Sequence, residues 1–382
     1  MMRLSALVKT LLAAVVAGAM AGTAGAQSVL NVASGGSQNM VDYVTDYLGP
    51  LFESRNSRWK VRVVGTGPGD AGSQAILEKL AAQVGSDAWD TDVVVINQLK
   101  TTEMVESGLL STYRSEIGTG SLATRDTVRL ALGTDVDGYV MPMFHSQTAI
   151  AYNPDLVPTP PASFDELKAW VEAHPGAFGY NGIKNGMSGV AFTAAWMYAY
   201  AGNTDQIMNG PYDPAIKDTW DQALADLRAF NEHVSFTPGN AGTLDMLNRG
   251  EIVMGPVWVD MFHTWQADGR LAPNLKLTLP EPGMPGQPYY YAIPTKAANR
   301  DAAKAFIELA TSPEVQAEGI VNRFNWYPGI DAEHVQDALD PQVWTKIFLD
   351  VTPQDLASKG KPFPLGPFFT EIKEAYEQKV SN

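Results

Sequence analysis

The sequence predicts an α/β protein whose chain is divided between two lobes. The first observation is its length of 382 residues, which is more than one hydrophobic core usually serves. The second is that short apolar strands alternate with amphipathic helices from residue 28 onward. The third is the composition, 45% hydrophobic and 18% charged, which excludes a wholly disordered chain.

The first lobe begins with a regular order of strands and helices. Apolar runs at residues 29–33, 60–64 and 92–96 predict strands, and helical spacing at 40–48 and 76–81 predicts the helices between them. A β-α-β-α-β order requires a parallel sheet, because each strand returns to the same edge through a helix. The first lobe is therefore predicted to be a parallel sheet covered by helices on both faces.

The middle and the end of the chain contain more helix. Ser163 and Glu166 form a capping-box pattern that predicts the start of a helix. Residues 251–254 predict a strand that leads into the turn Gly255-Pro256. After a connector rich in proline and glycine at 280–288, residues 289–294 predict a strand and 301–310 a helix. No long flexible linker separates these elements, so the lobes must be joined by short ordered segments.

The N-terminus predicts export. Arg3 and Lys9 precede a short apolar run at 11–20, and Ala24-Gly25-Ala26 supplies a small-residue cleavage site. Residues 1–26 are therefore predicted to be a signal peptide cleaved near Ala26, and the mature protein is predicted to be exported. The apolar run is too short to span about 30 Å of hydrocarbon, and no later stretch is long enough.

Charge and residue counts exclude several classes of function. The chain has 27 basic and 42 acidic residues, a net charge of −15, and no basic patch, so no nucleic-acid partner is expected. With no cysteine and five scattered histidines, no metal site is expected. There is no Gly-x-Ser-x-Gly nucleophile motif, so we expect no enzyme activity. A pair of acids for glycoside hydrolysis is left open, which keeps an exported hydrolase as the alternative.

The stretch Gly67–Gly72 has the Gly-x-Gly-x-x-Gly pattern of dinucleotide-binding turns. It follows the second predicted strand, and Pro68 removes a backbone donor that such a site needs. We therefore expect no cofactor. The alternative is a turn at the carboxyl end of a parallel strand, where α/β sheets place ligand crevices.

Candidate ligand-binding residues fall at predicted strand ends and helix starts, where free backbone amides and a crevice are expected. The aromatic candidates could instead be core residues, and the tyrosine run 289–291 could be a strand or resemble the adjacent tyrosines of ferric-ion binders. Trp258 is favoured because Gly255 and Pro256 precede it. The full set is Gly36, Ser37, Asp70, Gln98, His145, Ser146, Trp196, Trp258, Asp260, Tyr290 and Trp326.

Several stretches resemble the solute-binding proteins of bacterial ABC importers, in the family that contains maltose-binding and spermidine/putrescine-binding proteins. They are DGYVMP at 137–142 with AIAYN at 149–153, PTPPASFDEL at 158–167, GEIVMGP at 250–256, and residues 291–314, which match its "AIP…F-I…SPE" pattern.

This resemblance implies the two-lobed periplasmic-binding-protein fold of type II, with a ligand cleft between lobes joined by hinge segments. The implied lobes are residues 27–138 plus 280–322 and residues 139–279 plus 323–382. It also implies a monomer that closes on a small solute and delivers it to a membrane permease.

The sequence does not choose the solute. Aromatic faces and carboxylates suit a sugar or polyol, and they equally suit an organic cation such as a polyamine or a thiamine-like compound. An anion at Gly35-Gly36-Ser37 is a weaker alternative.

Overall fold

The computed structural model describes residues 27–36, 38–67, 69–184 and 186–381. The predicted signal peptide, 1–26, and the candidate ligand residue Ser37 lie outside the described residues.

Strands in the described part of the chain are short, apart from two that exceed ten residues. They are β1 Ser28–Gly35, β2 Trp59–Gly67, β3 Val93–Asn97, β4 Leu110–Ser111, β5 Leu130–Ala131, β6 Thr134–Asp135, β7 Val140–Tyr152, β8 Gly179–Tyr180, β9 Ser235–Phe236, β10 Met254–Trp258, β11 Lys276–Thr278, β12 Met284–Pro294, β13 Tyr327–Pro328 and β14 Gly360–Lys361.

Helices fill most of the intervals between them. The α-helices are α1 Gln38–Asp42, α2 Gly49–Arg55, α3 Gly69–Ala81, α4 Gln98–Glu106, α5 Phe164–Ala173, α6 Met187–Tyr200, α7 Thr204–Asn209, α8 Asp221–Asn231, α9 Asn240–Arg249, α10 Val259–Ala267, α11 Arg300–Ala310, α12 Pro313–Val315, α13 Glu333–Gln336, α14 Pro341–Ile347, α15 Pro353–Lys359 and α16 Gly366–Lys379. Two π-helical segments, Tyr43–Leu48 and Gln316–Asn322, join α1 to α2 and follow α12.

The main sheet has the strand order β10-β7-β12-β3-β1-β2. Strand β1 pairs in parallel with both β2 and β3, which confirms the parallel sheet predicted for the first lobe. Strand β12 pairs antiparallel with β3 on one side and with β7 on the other. A strand from the last quarter of the chain therefore lies between two strands from the first half.

The long strands β7 and β12 pass from one lobe to the other. The amino-terminal half of β7 pairs with β12 beside β3, and its carboxyl-terminal half pairs with β10 and β11. We call the part of the molecule around β1–β3 the first lobe and the part around β8–β11 the second lobe. The residue boundaries of the lobes given above remain a prediction.

Local sequence explains the elements nearest the lobe junction. All five residues of β3 are buried, as expected for a central parallel strand with helices on both faces. Helix α5 begins as predicted, because the Ser163 hydroxyl accepts from the Glu166 amide at 3.2 Å. The Glu166 carboxylate reaches back to the amide of Ala162, at 2.8 Å, one residue before the position that a capping box would use.

The glycine pattern at 67–72 serves packing. A side chain at Gly72 would place its Cβ 1.8 Å from the carbonyl oxygen of Gly67, and one at Gly35 would lie 2.7 Å from the Ser73 amide nitrogen. The Gly67 carbonyl accepts the amide of Gly36 at 2.9 Å. Glycine at positions 35 and 72 thus lets β1, β2 and the start of α3 approach closely.

Two sequence-based assignments of position are wrong. The strand predicted at 251–254 lies at Met254–Trp258, so Gly255 and Pro256 are inside β10 rather than in a turn after it. Proline is tolerated there because β10 is at the end of the sheet order. His145 and Ser146, predicted to follow a strand end, lie in the interior of β7. Among the described residues, no helix combines the length and hydropathy needed to cross a membrane.

Candidate ligand-binding site between the lobes

The first lobe contributes a hydrogen-bonded pair at the carboxyl ends of its strands. Asn97 ends β3 and caps α4, because its Oδ1 accepts from the Lys100 amide at 2.9 Å. Its Nδ2 donates to Oδ1 of Asp70, in the first turn of α3, at 3.0 Å. The Asp70 side chain is 55% exposed and lies 3.8 Å from the Lys100 ammonium group. Asp70 is therefore oriented by its neighbours and remains accessible.

The second lobe contributes a carboxyl group without a cation. Asp260 lies in the first turn of α10, directly after β10, and accepts a hydrogen bond from the hydroxyl of Ser146. Among the described residues no lysine, arginine or histidine forms an ion pair with it. Burial raises the pKa of Asp260 to about 6, while the hydrogen bond from Ser146 lowers it. This carboxyl is thus charged at neutral pH and becomes protonated as the pH falls through about 6.

Tyr289 lies between these two carboxyl groups. It is opposite Asn97 in the β12–β3 pairing and opposite Phe144 in the β12–β7 pairing. Its ring stacks on Phe144 with centroids 5.7 Å apart and an interplanar angle of 7°. Burial, with the charges of Asp70 and Asp260, raises the pKa of Tyr289 to about 12. Its hydroxyl forms no hydrogen bond within the part of the chain described, so it is free to bind a ligand.

We call Asp70, Asn97, Ser146, Asp260 and Tyr289 the interlobe cluster. Both lobes and both long strands supply its members, so the cluster is complete only when the lobes are together. It offers two carboxyl groups, an amide and two hydroxyl groups. Such groups accept hydrogen bonds from ammonium or hydroxyl groups of a small organic molecule. In the described ranges, no group of three or more histidine, aspartate or glutamate side chains could hold a metal ion.

The sequence profile of a protein family described as "Bacterial extracellular solute-binding protein" matches residues 52–331, which is more than half of the chain. This chain belongs to that family. No curated protein matches this solute-binding protein in sequence.

Solved structures of solute-binding proteins share its fold. A putative extracellular solute-binding protein from Bordetella parapertussis has a TM-score of 0.70 at 15% identity, covering 93% of this chain and 100% of that chain. The spermidine/putrescine ABC transporter substrate-binding protein PotD from Streptococcus pneumoniae has a TM-score of 0.69 at 14% identity, covering 92% and 98%. An ABC transporter solute-binding protein from Thermotoga lettingae, bound with α-D-tagatose, has a TM-score of 0.65 at 14% identity, covering 93% and 95%. The two-lobed α/β fold predicted from the sequence is confirmed.

Trp258 ends β10, two residues before Asp260. It is 6% exposed, and its indole makes no hydrogen bond or ring contact with other described residues. Trp326, at 1% exposure, packs behind the cluster against Phe144, with ring centroids 4.4 Å apart and the rings tilted by 33°. Trp258 thus lies beside the interlobe cluster, whereas Trp326 packs behind it against Phe144.

Trp196 lies in the core of the second lobe of this solute-binding protein. It is fully buried, and its Nε1 donates to the carbonyl oxygen of Ala223 at 2.9 Å. Its ring packs against those of Phe230 and Tyr200, with centroids 4.9 and 4.6 Å away. The sequence-based assignment of Trp196 to the ligand wall is corrected, because no part of its ring is accessible.

Tyr290 also points away from the interlobe cluster. It is fully buried, and its hydroxyl donates to the carbonyl oxygen of Thr127. Gln98, buried at the start of α4, has neither amide atom hydrogen bonded. His145 points to the opposite face of β7 from its neighbour Ser146, because side chains alternate along a strand. Gly36 is buried directly after β1 and has only its backbone to offer.

Of the predicted residues, Asp70, Ser146 and Asp260 come together, with Trp258 next to them and Trp326 behind. The site also includes Asn97, which the sequence places at the carboxyl end of a predicted strand, and Tyr289, which sequence reasoning missed. Asn97 had a usable signal, since an asparagine between a buried strand and a helix is a typical cap at a strand's carboxyl end. Tyr289 had none, because the tyrosine run confirmed as strand β12 contains three similar candidates.

Proposed function

We propose that this protein binds a small organic cation between its lobes in the periplasm and delivers it to an ABC-type permease. The lobes are those given above, 27–138 plus 280–322 and 139–279 plus 323–382, and the protein acts as a monomer after cleavage near Ala26. It performs no chemistry on the solute. The exported hydrolase gains no support from the family or from the solved structures.

The proposal of a cationic solute rests on Asp260, which has no cation as a partner among the described residues. A carboxyl group at the lobe junction that has one hydroxyl donor and no cation creates a demand for positive charge. Asp70 supplies a second carboxylate on the far side of Tyr289, whose pKa both acids raise. A diamine or a compact organic cation can contact both acids with Tyr289 below it. The PotD relative carries spermidine/putrescine in its name, which is in keeping with this choice.

Closure follows from where the ligand groups lie. Asp70 and Asn97 belong to the first lobe, Asp260 and Trp258 to the second, and only the closed arrangement lets one solute contact all four. A solute that binds the closed state more tightly shifts the population toward it. The closed pair of lobes then forms the surface that a permease recognises.

A thermal-shift screen of purified protein tests the solute class. Putrescine, spermidine and thiamine are compared with D-tagatose and maltose at equal concentrations, because a ligand that binds only the folded state raises the Tm. We expect at least one cation to raise the Tm and the sugars to leave it unchanged. A response to sugars alone would replace the cation with a sugar or polyol. Mass spectrometry of the recovered solute should find it unaltered. Turnover of the solute that depends on the protein would instead support the alternative function, an exported hydrolase.

Replacing Trp258 with alanine should weaken binding of the best cation by roughly 1–3 kcal/mol, since an aromatic face beside a desolvated cation is lost. Titration calorimetry on the folded variant measures the change. The matched control is Trp170→Ala, which should leave affinity unchanged. Trp170 lies on α5, and its indole stacks on the ring of His174, with ring centroids 4.3 Å apart. Equal affinities in the two variants would return Trp258 to the core.

A further inference from the structure

A cavity lies on the opposite face of β7 from the interlobe cluster. Ser146 faces Asp260 on one side of the strand, and its neighbour His145 lines this cavity on the other. The cavity has a volume of about 870 Å³, within the range of small-molecule sites. The segment around Arg125 and Thr127 forms one wall, and residues of α7, α15 and β14 form the other.

Arg125 is the unusual group in this cavity. Its Nη1 is buried and has no hydrogen-bond partner, and its guanidinium forms no ion pair with any described residue. Asp331 is the acid whose charge acts most strongly on Arg125. Its carboxylate, however, already accepts hydrogen bonds from the amide and the hydroxyl of Thr124, the latter at 2.6 Å. Arg125 is half-buried, and leaving its buried Nη1 without an acceptor costs stability.

His145 adds a neutral polar group beside Arg125. Its Nδ1 is buried without a hydrogen-bond partner. Burial and the charge of Arg125 lower the pKa of His145 to about 3, so the imidazole is uncharged at neutral pH. An uncharged imidazole can donate one hydrogen bond from a ring nitrogen. Arg125 thus offers a donor without an internal acceptor, and His145, whose ring also meets the Gln147 side chain, adds an uncharged polar group beside it.

The other charged side chains that line the cavity are already paired or hydrogen bonded, or are exposed to solvent. Asp126 pairs with Arg129, and its side chain is 87% exposed. The side chain of Glu333 is 80% exposed, and Lys361 donates to the carbonyl oxygen of Ser358 at 2.9 Å. The rest of the lining is largely apolar and includes Leu130, Leu132, Met208, Leu356 and Phe363.

We propose that this cavity binds a small aliphatic monocarboxylate, with its carboxylate on Arg125 and its alkyl chain against the apolar wall. A guanidinium fork matches a carboxylate in two parallel hydrogen bonds, which a hydroxyl or an amide cannot reproduce. The apolar lining accepts the chain and adds the hydrophobic contribution. This site is separate from the interlobe cluster and takes a ligand of opposite charge.

The test uses octanoate and, as its uncharged analogue of the same shape, octanamide. Calorimetry on the mature protein should detect binding of octanoate and at least tenfold weaker binding of octanamide. Arg125→Met should weaken octanoate binding at least tenfold without lowering the Tm, because a buried donor that has no acceptor is removed. Arg125→Gln, which keeps a polar side chain, should also lose octanoate and serves if the methionine variant does not fold.

Two controls separate this site from others. Arg129→Met removes an exposed arginine four residues away and should leave octanoate binding unchanged. Asp260→Asn should weaken cation binding in the interlobe cluster and leave octanoate binding unchanged. The proposal is overturned if octanoate does not bind, if octanamide binds equally well, or if the Arg125 variants keep wild-type affinity.

Discussion

Replacing Asp260 with asparagine is expected to lower the affinity for the cationic solute by about 30-fold or more, which corresponds to about 2 kcal/mol or above. The amide keeps the size of the side chain and can still meet the Ser146 hydroxyl. It removes only the negative charge that the second lobe presents to the solute. Calorimetric titration with the best cation from the thermal-shift screen measures the loss.

The same residue makes cation binding depend on pH. Because the pKa of Asp260 is about 6 in the ligand-free protein, the carboxyl is charged above pH 6 and protonated below it. A cation binds the charged form, so its affinity should be constant above pH 6 and fall by about tenfold per pH unit below it. In Asp260→Asn this dependence should disappear, which a pH series of titrations would reveal.

The stability of the ligand-free protein should change in the opposite direction. A carboxyl whose pKa is raised on folding favours the folded state when it is protonated, below its unfolded pKa of about 3.9. That contribution is lost as pH rises through the folded pKa of about 6. At pH 7.5 the wild-type protein therefore carries a penalty of about 3 kcal/mol that the asparagine variant lacks. Urea unfolding at pH 7.5 should give the higher free energy of unfolding for Asp260→Asn.

Asp268→Asn is the control for both effects. Asp268 follows α10 and pairs with Arg270 on the surface, where its side chain is 52% exposed. An exposed pair of this kind contributes little to stability, and it is remote from the lobe junction. Equal affinity and equal pH dependence in the Asp260 and Asp268 variants would mean that the solute carries no positive charge at Asp260.

Replacing Trp196 with alanine should cost about 3–5 kcal/mol of the free energy of unfolding. The substitution opens a large cavity in the aromatic core of the second lobe and leaves the Ala223 carbonyl without its indole donor. Urea or thermal unfolding measures the loss. In the fraction that remains folded, affinity for the solute should be unchanged, because Trp196 is not in contact with the interlobe cluster.

Trp258→Ala provides the comparison, since it is expected to lose more affinity than Trp196→Ala. If the alanine at position 196 instead reduced affinity while leaving stability intact, Trp196 would belong to the ligand wall, as the sequence analysis proposed.

The parts of the fold with a clear periodic pattern could be predicted from the sequence. Strand β3 is buried on both faces, so its apolar run was unambiguous. The start of α5 followed from the positions of Ser163 and Glu166, because capping depends on residues only three apart. Asp70 was predictable for the same kind of reason, since it follows a strand and opens a helix.

The parts that failed depend on contacts between distant segments. The β12–β7 pairing shifts register between Tyr289 and Tyr290, and the tyrosine run alone does not show which tyrosine faces the interlobe cluster. Helix α6 is buried on nearly all sides, so no polar face indicated where Trp196 points. His145 and Ser146 could be separated only once both were known to lie within one strand.

The position of β12 in the main sheet also governs when the protein can fold. Strand β3 cannot gain its second neighbour until residues 284–294 have been synthesised, and Tyr113 finds its acceptor, the Tyr291 carbonyl, 178 positions further along the chain. Pairings between such distant segments form slowly, because a long loop must close before any contact rewards it. The main sheet therefore cannot be completed, and Tyr289 cannot reach the binding site, until about three quarters of the chain has been synthesised. Such late completion of the fold suits the export that we propose. A polypeptide that is still unfolded can be threaded through a membrane and cannot carry cytoplasmic solute with it.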